Sequence, residues 1–218
     1  MNIDIITLFP GMYDGFLSES IIKKALDKKL FTITLHNLRD WGTGSYKQVD
    51  DTPFGGGAGM VLMAEPIQAC LDELRTNESY VIALTAKGTQ FTQSKAKIFS
   101  KKQHIILLAG HYEGFDQRVL DFMVDESISI GNYVLTGGEL PSMVVSDAIV
   151  RLLPGVLGNE NSPITDSFYT DDTTRQHPQY TRPSLLELTD GREISVPDVL
   201  LSGHHQNIER WRLENTKE

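Results

Sequence analysis

The sequence predicts an α/β fold: a mostly parallel sheet flanked by helices, followed by a small C-terminal helical domain. Three observations predict it. Short apolar runs rich in β-branched residues alternate with helix-length segments as far as Leu153, the pattern of strands buried on both faces by crossover helices. Glycine-bearing loops stand where several of those runs end, as expected where backbone turns tightly or approaches a ligand. Beyond Leu153 the character changes, since Pro154 to Pro183 holds four prolines, several acids and no period.

In chain order, Ile3 to Phe9, Phe31 to Leu35, Tyr80 to Thr85, His104 to Ala109 and Ser127 to Val134 read as strands, by length and β-branched content. Helices are expected over Tyr13 to Leu30, Glu65 to Leu74, Thr92 to Ser100, Asp116 to Met123 and Ser142 to Leu153, with Thr92, Asp116 and Ser142 suited to cap or open theirs. A stretch as long as Pro154 to Pro183 without its own structure is a functional loop or an interdomain linker. After it, Leu185 to Leu188 and Ile208 to Leu213 predict a small helical appendage. The expected organisation is a main domain over 1–157, a flexible linker or lid over 158–176 and a small domain over 177–218.

A chain of 218 residues with 40% hydrophobic and 22% charged content can bury a sizeable core, so one moderate domain with an appendage is the natural reading. The single cysteine, Cys70, lies in a stretch with helical spacing and reads as a small core residue, and one cysteine excludes an internal disulfide framework. Met1 to Pro10 lacks a basic region, carries Asp4 and is too short to span a bilayer, which sets the expectation of a cytoplasmic protein without a membrane partner. A net charge of −9 argues against a general nucleic-acid binder. The charge is segregated, however: Lys87, Lys95, Lys97, Lys101, Lys102 and Arg118 face only Glu113 and Asp116, whereas nine acids between Val119 and Asp172 face Arg151 alone.

Familiar site motifs fail. No Gly-x-Gly-x-x-Gly opens a helix after a strand, no Gly-Lys-Ser/Thr occurs, and the six histidines lack chelate spacing, so dinucleotide, Walker-type and zinc sites are not expected. What remains is a site built mostly of main chain at the carboxyl ends of parallel strands, where open α/β sheets bind ligands. The run ending at Thr85 feeds Ala86-Lys87-Gly88, the run ending at Ala109 feeds Gly110 to Asp116, and the run near Ile130 feeds a loop with Gly131, Gly137 and Gly138. Peptide groups presented this way can read the edge of an adenine between apolar side chains. Arg151 lies four residues after Asp147 and reads equally as a helical ion pair worth about 0.3–0.5 kcal/mol. Asp166, in Thr165-Asp166-Ser167-Phe168, has a turn or cap as its default role.

Taken together, Thr7 to Pro10, Pro53 to Met60, Gly110 to Val119, Ile128 to Pro141, Leu153 to Gly158, Asp166-Ser167-Phe168, Tyr180-Thr181-Arg182-Pro183, Val196 to Gly203 and Ile208 to Arg212 resemble the bacterial tRNA (guanine-N1)-methyltransferase family of the SPOUT class. The resemblance spans nearly the whole chain, and the Ile130 to Pro141 and Tyr180 to Pro183 strings are its most specific parts. It implies a homodimer with a deep trefoil knot in the first domain, which topology rules alone would disfavour. It implies transfer of methyl from S-adenosylmethionine to N1 of the guanosine 3′ to the anticodon of tRNA, position 37. The implied cofactor contacts are Leu84, Thr85, Gly88, Gly110, Tyr112, Glu113, Ile130, Gly131, Asn132, Tyr133, Val134, Leu135 and Gly138. Asp166 matches the family's proposed general base and Arg151 the arginine that neutralises O6. The small domain, with Arg182, Arg210 and Arg212 as phosphate partners, would bind tRNA.

Guanine N1 bears a proton at neutral pH, so a base is required before it can attack a sulfonium methyl, a role worth about 10²–10⁴-fold in rate. The chain departs from the family pattern in Asn132, where Asp is common, in Ala86-Lys87 in place of Pro-Gln, and in Gln176, often Asp. Asn132 is therefore expected to contribute only backbone. Glu113 is a candidate for the cofactor's amino group or for Mg2+, the metal being an expectation from the family alone. The competing readings are another SPOUT enzyme and a non-catalytic RNA- or nucleotide-binding module; the pairing of Arg151 with Asp166 favours the stated enzyme.

Overall fold

The computed structural model describes residues 1–158 and 166–216, which fall into two compact units, Met1–Glu160 and Asn161–Glu218. The first is built on a five-stranded, wholly parallel sheet. Its strands are β1 (Asn2–Thr7), β2 (Thr32–Asn37), β5 (Ser79–Gln90), β6 (His104–Ala109) and β7 (Glu126–Ser129), in the spatial order β2-β1-β6-β5-β7. Two short strands, β3 (Asp50–Asp51) and β4 (Val61–Leu62), pair antiparallel and flank the glycine loop at residues 55–59.

Alternation along the central strands divides the core in two. Ile3 and Ile5 of β1, Ile82 and Leu84 of β5, and Ile105 and Leu107 of β6 join one cluster. Ile6, Val81, Ala83, Ile106 and Leu108 join the other. The period-two geometry of a strand sends neighbours to opposite faces, and both faces are apolar because helices cover each. α2 (Ser20–Asp27), α4 (Gln93–Phe99) and α6 (Glu139–Val150) supply Ile22, Ala25, Phe99, Val145 and Ile149 to the first cluster. α3 (Ala64–Leu74) and α5 (Gln117–Phe122) supply Ile67, Cys70, Leu71 and Val119 to the second. Cys70 is thus a core residue, its thiol pushed up to about 12 by burial, with Glu73 and Asp4 adding to the shift.

The structure corrects several expected boundaries. The helix expected over Tyr13 to Leu30 is broken into a 3-10 turn Pro10–Tyr13, α1 (Asp14–Ser18) and α2, because Glu19 is extended at φ −128° and ψ 161°. Ser18 and Ser20 flank the break, and serine favours caps over helix interiors. Thr92 and Asp116 cap as expected, accepting from the Lys95 and Arg118 amides. Ser142 does not open α6: Gly138 occupies the cap, and Pro141 lies in the first turn, where its missing N–H leaves nothing unpaired. The strand expected to reach Val134 ends at Ser129, and β2 starts one residue later and runs two residues further than expected.

The second unit is not wholly helical. Leu185 to Leu188, expected as helix, contributes β8 (Leu185–Glu187), which pairs antiparallel with β9 (Glu193–Ser195) around Asp190-Gly191, Gly191 having φ +80°. Four residues, three of them leucine, carry no decisive period, and the Asp-Gly turn favours a hairpin. Two helices follow, α7 (Asp198–Leu201) and α8 (His205–Glu214). Of the linker expected over 158–176, residues 159–165 lie outside the described residues.

Candidate functional site

Where β5, β6 and β7 end, three loops enclose a cavity of about 210 Å3. The first wall is a break inside β5. Leu84 and Thr89 both pair with Ile128 of β7, so the intervening residues leave the ladder, and Thr85, Ala86 and Lys87 line the cavity. Gly88 closes that excursion: a Cβ there would overlap the Ile128 backbone. The second wall is Gly110 to Phe115 after β6, where Tyr112 takes a left-handed backbone at φ +58°. Gly110 is close to Phe115, whose ring would stand 2.8 Å from an added Cβ. The third wall is the loop after β7, with Ile130, Gly131, Tyr133, Val134, Leu135, Thr136, Gly137 and Gly138. Walls two and three are joined directly, by the bridge between His111 and Gly137 and by the Gly138 amide donating to the Gly110 carbonyl at 2.6 Å. Gly88 and Gly138 are therefore required by close approach of main chain to main chain.

Beneath the third wall lies a buried polar group of side chains. The Thr7 hydroxyl donates to Glu139 Oε1 at 2.8 Å, Tyr13 and Ser142 share a hydrogen bond at 2.6 Å, and Ser142 Oγ donates to the Glu139 carbonyl at 2.7 Å. Burial, with a smaller contribution from the Glu139 charge, pushes the Tyr13 phenol up to about 12, against the lowering effect of its bond to Ser142. Together these bonds fix the start of α6, and with it the Gly137-Gly138 turn.

Of the residues expected at a cofactor site, Leu84, Thr85, Gly110, Tyr112, Glu113, Ile130, Gly131, Tyr133, Val134, Leu135 and Gly138 line the one cavity. Gly88 and Asn132 are not among its lining residues; Gly88 serves the strand excursion and Asn132 is exposed. His111, Thr136 and Gly137, inside the loops that the sequence marks, also line it, and sequence reasoning missed Ile128, Ser129 and Pro141, which do so as well. Their signal was position: each falls inside or beside a glycine loop already singled out. Bared peptide groups, apolar walls from Leu84, Ile130 and Leu135, and one carboxylate at Glu113 suit an adenosine-bearing ligand with a charged amino-acid tail. Among the described residues no three or more His, Cys, Asp or Glu side chains gather to hold a metal.

Arg151 directly follows α6 as its C-cap and donates its amide to the Asp147 carbonyl. Asp166 belongs to the second unit, where its carbonyl accepts the Tyr169 amide. The residues after it form a hydrogen-bonded turn. Phe168 donates to Thr174 O, Gln176 donates to Ser167 Oγ, and the Asp171 carboxylate accepts from the amides and hydroxyls of Thr173 and Thr174. Those four bonds hold the Asp171 carboxyl well below the usual carboxylate range. Arg182 and Arg212 line a second cavity with His177, Tyr180 and Trp211, whereas Arg210 of α8 is exposed outside it. Among the described residues no helix is long and apolar enough to cross a membrane.

Comparison with known proteins fits this geometry. The family model described as tRNA (Guanine-1)-methyltransferase TrmD matches residues 1–218. Relatives named tRNA (guanine-N(1)-)-methyltransferase include that of Staphylococcus haemolyticus, 50% identical over 98% of this chain and 85% of its own length. That of Geobacillus kaustophilus is 49% identical over 97% of this chain and 85% of its own. That of Halalkalibacterium halodurans is 49% identical over 99% and 86%. A family match along the entire chain, with relatives at half identity over nearly all of it, means that the chain belongs to the tRNA (guanine-1)-methyltransferase TrmD family.

Proposed function

We propose that this protein methylates N1 of the guanosine at position 37 of tRNA, using S-adenosylmethionine bound in the cavity at the ends of β5, β6 and β7. The observation that carries the reading is the convergence of three backbone-baring loops on one cavity in a chain of this family. S-Adenosylmethionine supplies an electrophilic methyl group on a sulfonium sulfur. Asp166 takes the proton from guanine N1, whose electron pair then forms the new bond to carbon as the bond from carbon to sulfur breaks. Arg151 neutralises the negative charge that spreads to O6, a kind of contribution whose loss costs about 2.7–4 kcal/mol. Holding nucleophile and methyl in line accounts for much of the remaining acceleration.

Arg182, Arg210 and Arg212 contact tRNA phosphates, so the small domain over 177–218 positions the substrate and 158–176 acts as its linker or lid. The target lies in a loop that is already single-stranded, which lowers the cost of extruding it. A knotted first domain over 1–157 accords with the loop after β7 packing main chain to main chain on the loop after β6, at Gly138 on Ala109-Gly110. A homodimer is supported by α6, which buries Val145 and Ile149 yet leaves Leu140 and Val144 about half exposed, an apolar helix on more than one side. The substrate sets its location in the cytoplasm.

The test is incubation with unmodified tRNA and labelled S-adenosylmethionine, followed by mass spectrometry of the nucleosides. The expected product is 1-methylguanosine at position 37, and its absence under all conditions would favour a binding module. Asp166→Ala should bind S-adenosylmethionine normally and lose about 10²–10⁴-fold in turnover; near-normal turnover removes Asp166 as the base.

A further inference from the structure

Among the described residues Glu139 is the one charged side chain in the buried core, at 1% exposure. Its hydrogen-bonding neighbours are hydroxyls. Oε1 accepts from Thr7, the Tyr13 and Ser142 hydroxyls lie behind it, and no lysine, arginine or histidine pairs with it among the described residues. Burying a carboxylate without a counter-charge is unfavourable, and the unpaired amides at the start of α6 compensate only in part. A purely structural polar network would be served by a glutamine.

The carboxylate also stands directly behind the cavity. Its Oε2 would overlap a Cβ on Gly137, and His111 meets the same point with Cδ2 at 2.7 Å and Nε2 at 3.1 Å. Both Gly137 and His111 line the cavity, so a single glycine separates the charge from whatever fills it. The Nδ1 of His111 is itself buried without a hydrogen-bond partner.

We propose that Glu139 sets the preference of this cavity for the sulfonium donor over the neutral thioether product. The inference rests on the reading that the cavity takes S-adenosylmethionine. Donor and product differ by one methyl group and one positive charge. A fixed negative charge in a poorly screened interior attracts the first and not the second, without touching either. Once methyl has left, the attraction vanishes and the product is free to go. Glu139 is in this sense a specificity-determining residue that acts through its field.

Calorimetric titration of the whole chain with S-adenosylmethionine and with S-adenosylhomocysteine tests this. In Glu139→Gln the ratio of product Kd to donor Kd should fall about five- to tenfold from the unaltered protein, whereas Glu139→Asp should retain it. Equal weakening of both ligands, or an unchanged ratio, overturns the proposal, because a loss of structure alone moves both together. If Glu139→Gln does not fold by thermal melting, Thr7→Val removes the hydrogen bond that Thr7 donates to the carboxylate and so disfavours its ionised form. There too the ratio should fall, and an unchanged ratio overturns the proposal. Failure of the unaltered protein to bind S-adenosylmethionine would instead remove the parent reading.

Discussion

Gly138→Ala isolates the effect of close backbone approach. Gly138 has φ −85° and ψ 0°, which any residue adopts, so the substitution adds no torsional strain. The penalty is steric: the new Cβ would stand 2.5 Å from Gly110 N, 2.6 Å from Ala109 Cα and 2.8 Å from Ala109 C. All three are backbone atoms at the end of a central strand, and none can rotate away. The start of α6 must move, and the 2.6 Å bond from the Gly138 amide to Gly110 O goes with it. Overpacking costs typically 1–3 kcal/mol, and three immovable neighbours place this case near ~3 kcal/mol, a fall in Tm of ~6–12 °C for a chain of this size. The control is Gly131→Ala, whose Cβ meets only the ring of Tyr133, a half-exposed side chain that can swing aside. Differential scanning calorimetry should find Gly138→Ala strongly destabilised and Gly131→Ala close to the unaltered protein, while titration finds S-adenosylmethionine binding weakened in both. A Gly138→Ala protein that melts within about 1 °C of the original and binds the cofactor normally would refute the view that main-chain crowding builds this cavity.

Two further outcomes are expected. Thr92→Ala should cost about 0.5–1 kcal/mol by urea denaturation, the lower part of the cap range because its bond to the Lys95 amide is 3.4 Å long. Tyr13 keeps its proton more tightly when folded, at about 12 against 10.0. Its contribution is therefore intact below pH 10 and is lost as pH rises towards 12, by about 2–3 kcal/mol. Tyr13→Phe should remove that part of the alkaline fall in denaturation curves, while the fall from Cys70 remains in both proteins. Parallel pH curves for the two would contradict the assignment.

Much of the first unit was legible in the sequence because burial on both faces leaves a local signature: His104 to Ala109 was read to the residue, and the Thr92 and Asp116 caps are where their side-chain chemistry put them. The misreadings share a cause in tertiary context. Glu139 to Pro141 resembled loop because of Pro141, yet the helix opens there, held by Thr7 and Tyr13 from far along the chain. Leu185 to Leu188 was too short for its period to decide, and a distant partner strand settled it. The glycine loops announced a main-chain site with His111 and Thr136 inside it, but Ile128, Ser129 and Pro141 gained places in its wall only through a fold that no local pattern encodes.

The blister in β5 has a consequence for how this scaffold tolerates drift. Leu84 and Thr89 are anchored to the same residue of β7, so side-chain changes at Ala86 and Lys87, unlike one at Gly88, leave the register of the neighbouring strands untouched. Ala86 and Lys87 fall inside that span and line the cavity. Changes in donor affinity can thus accumulate at the rim one side chain at a time, as though on a detachable panel, while the sheet beneath keeps its alignment.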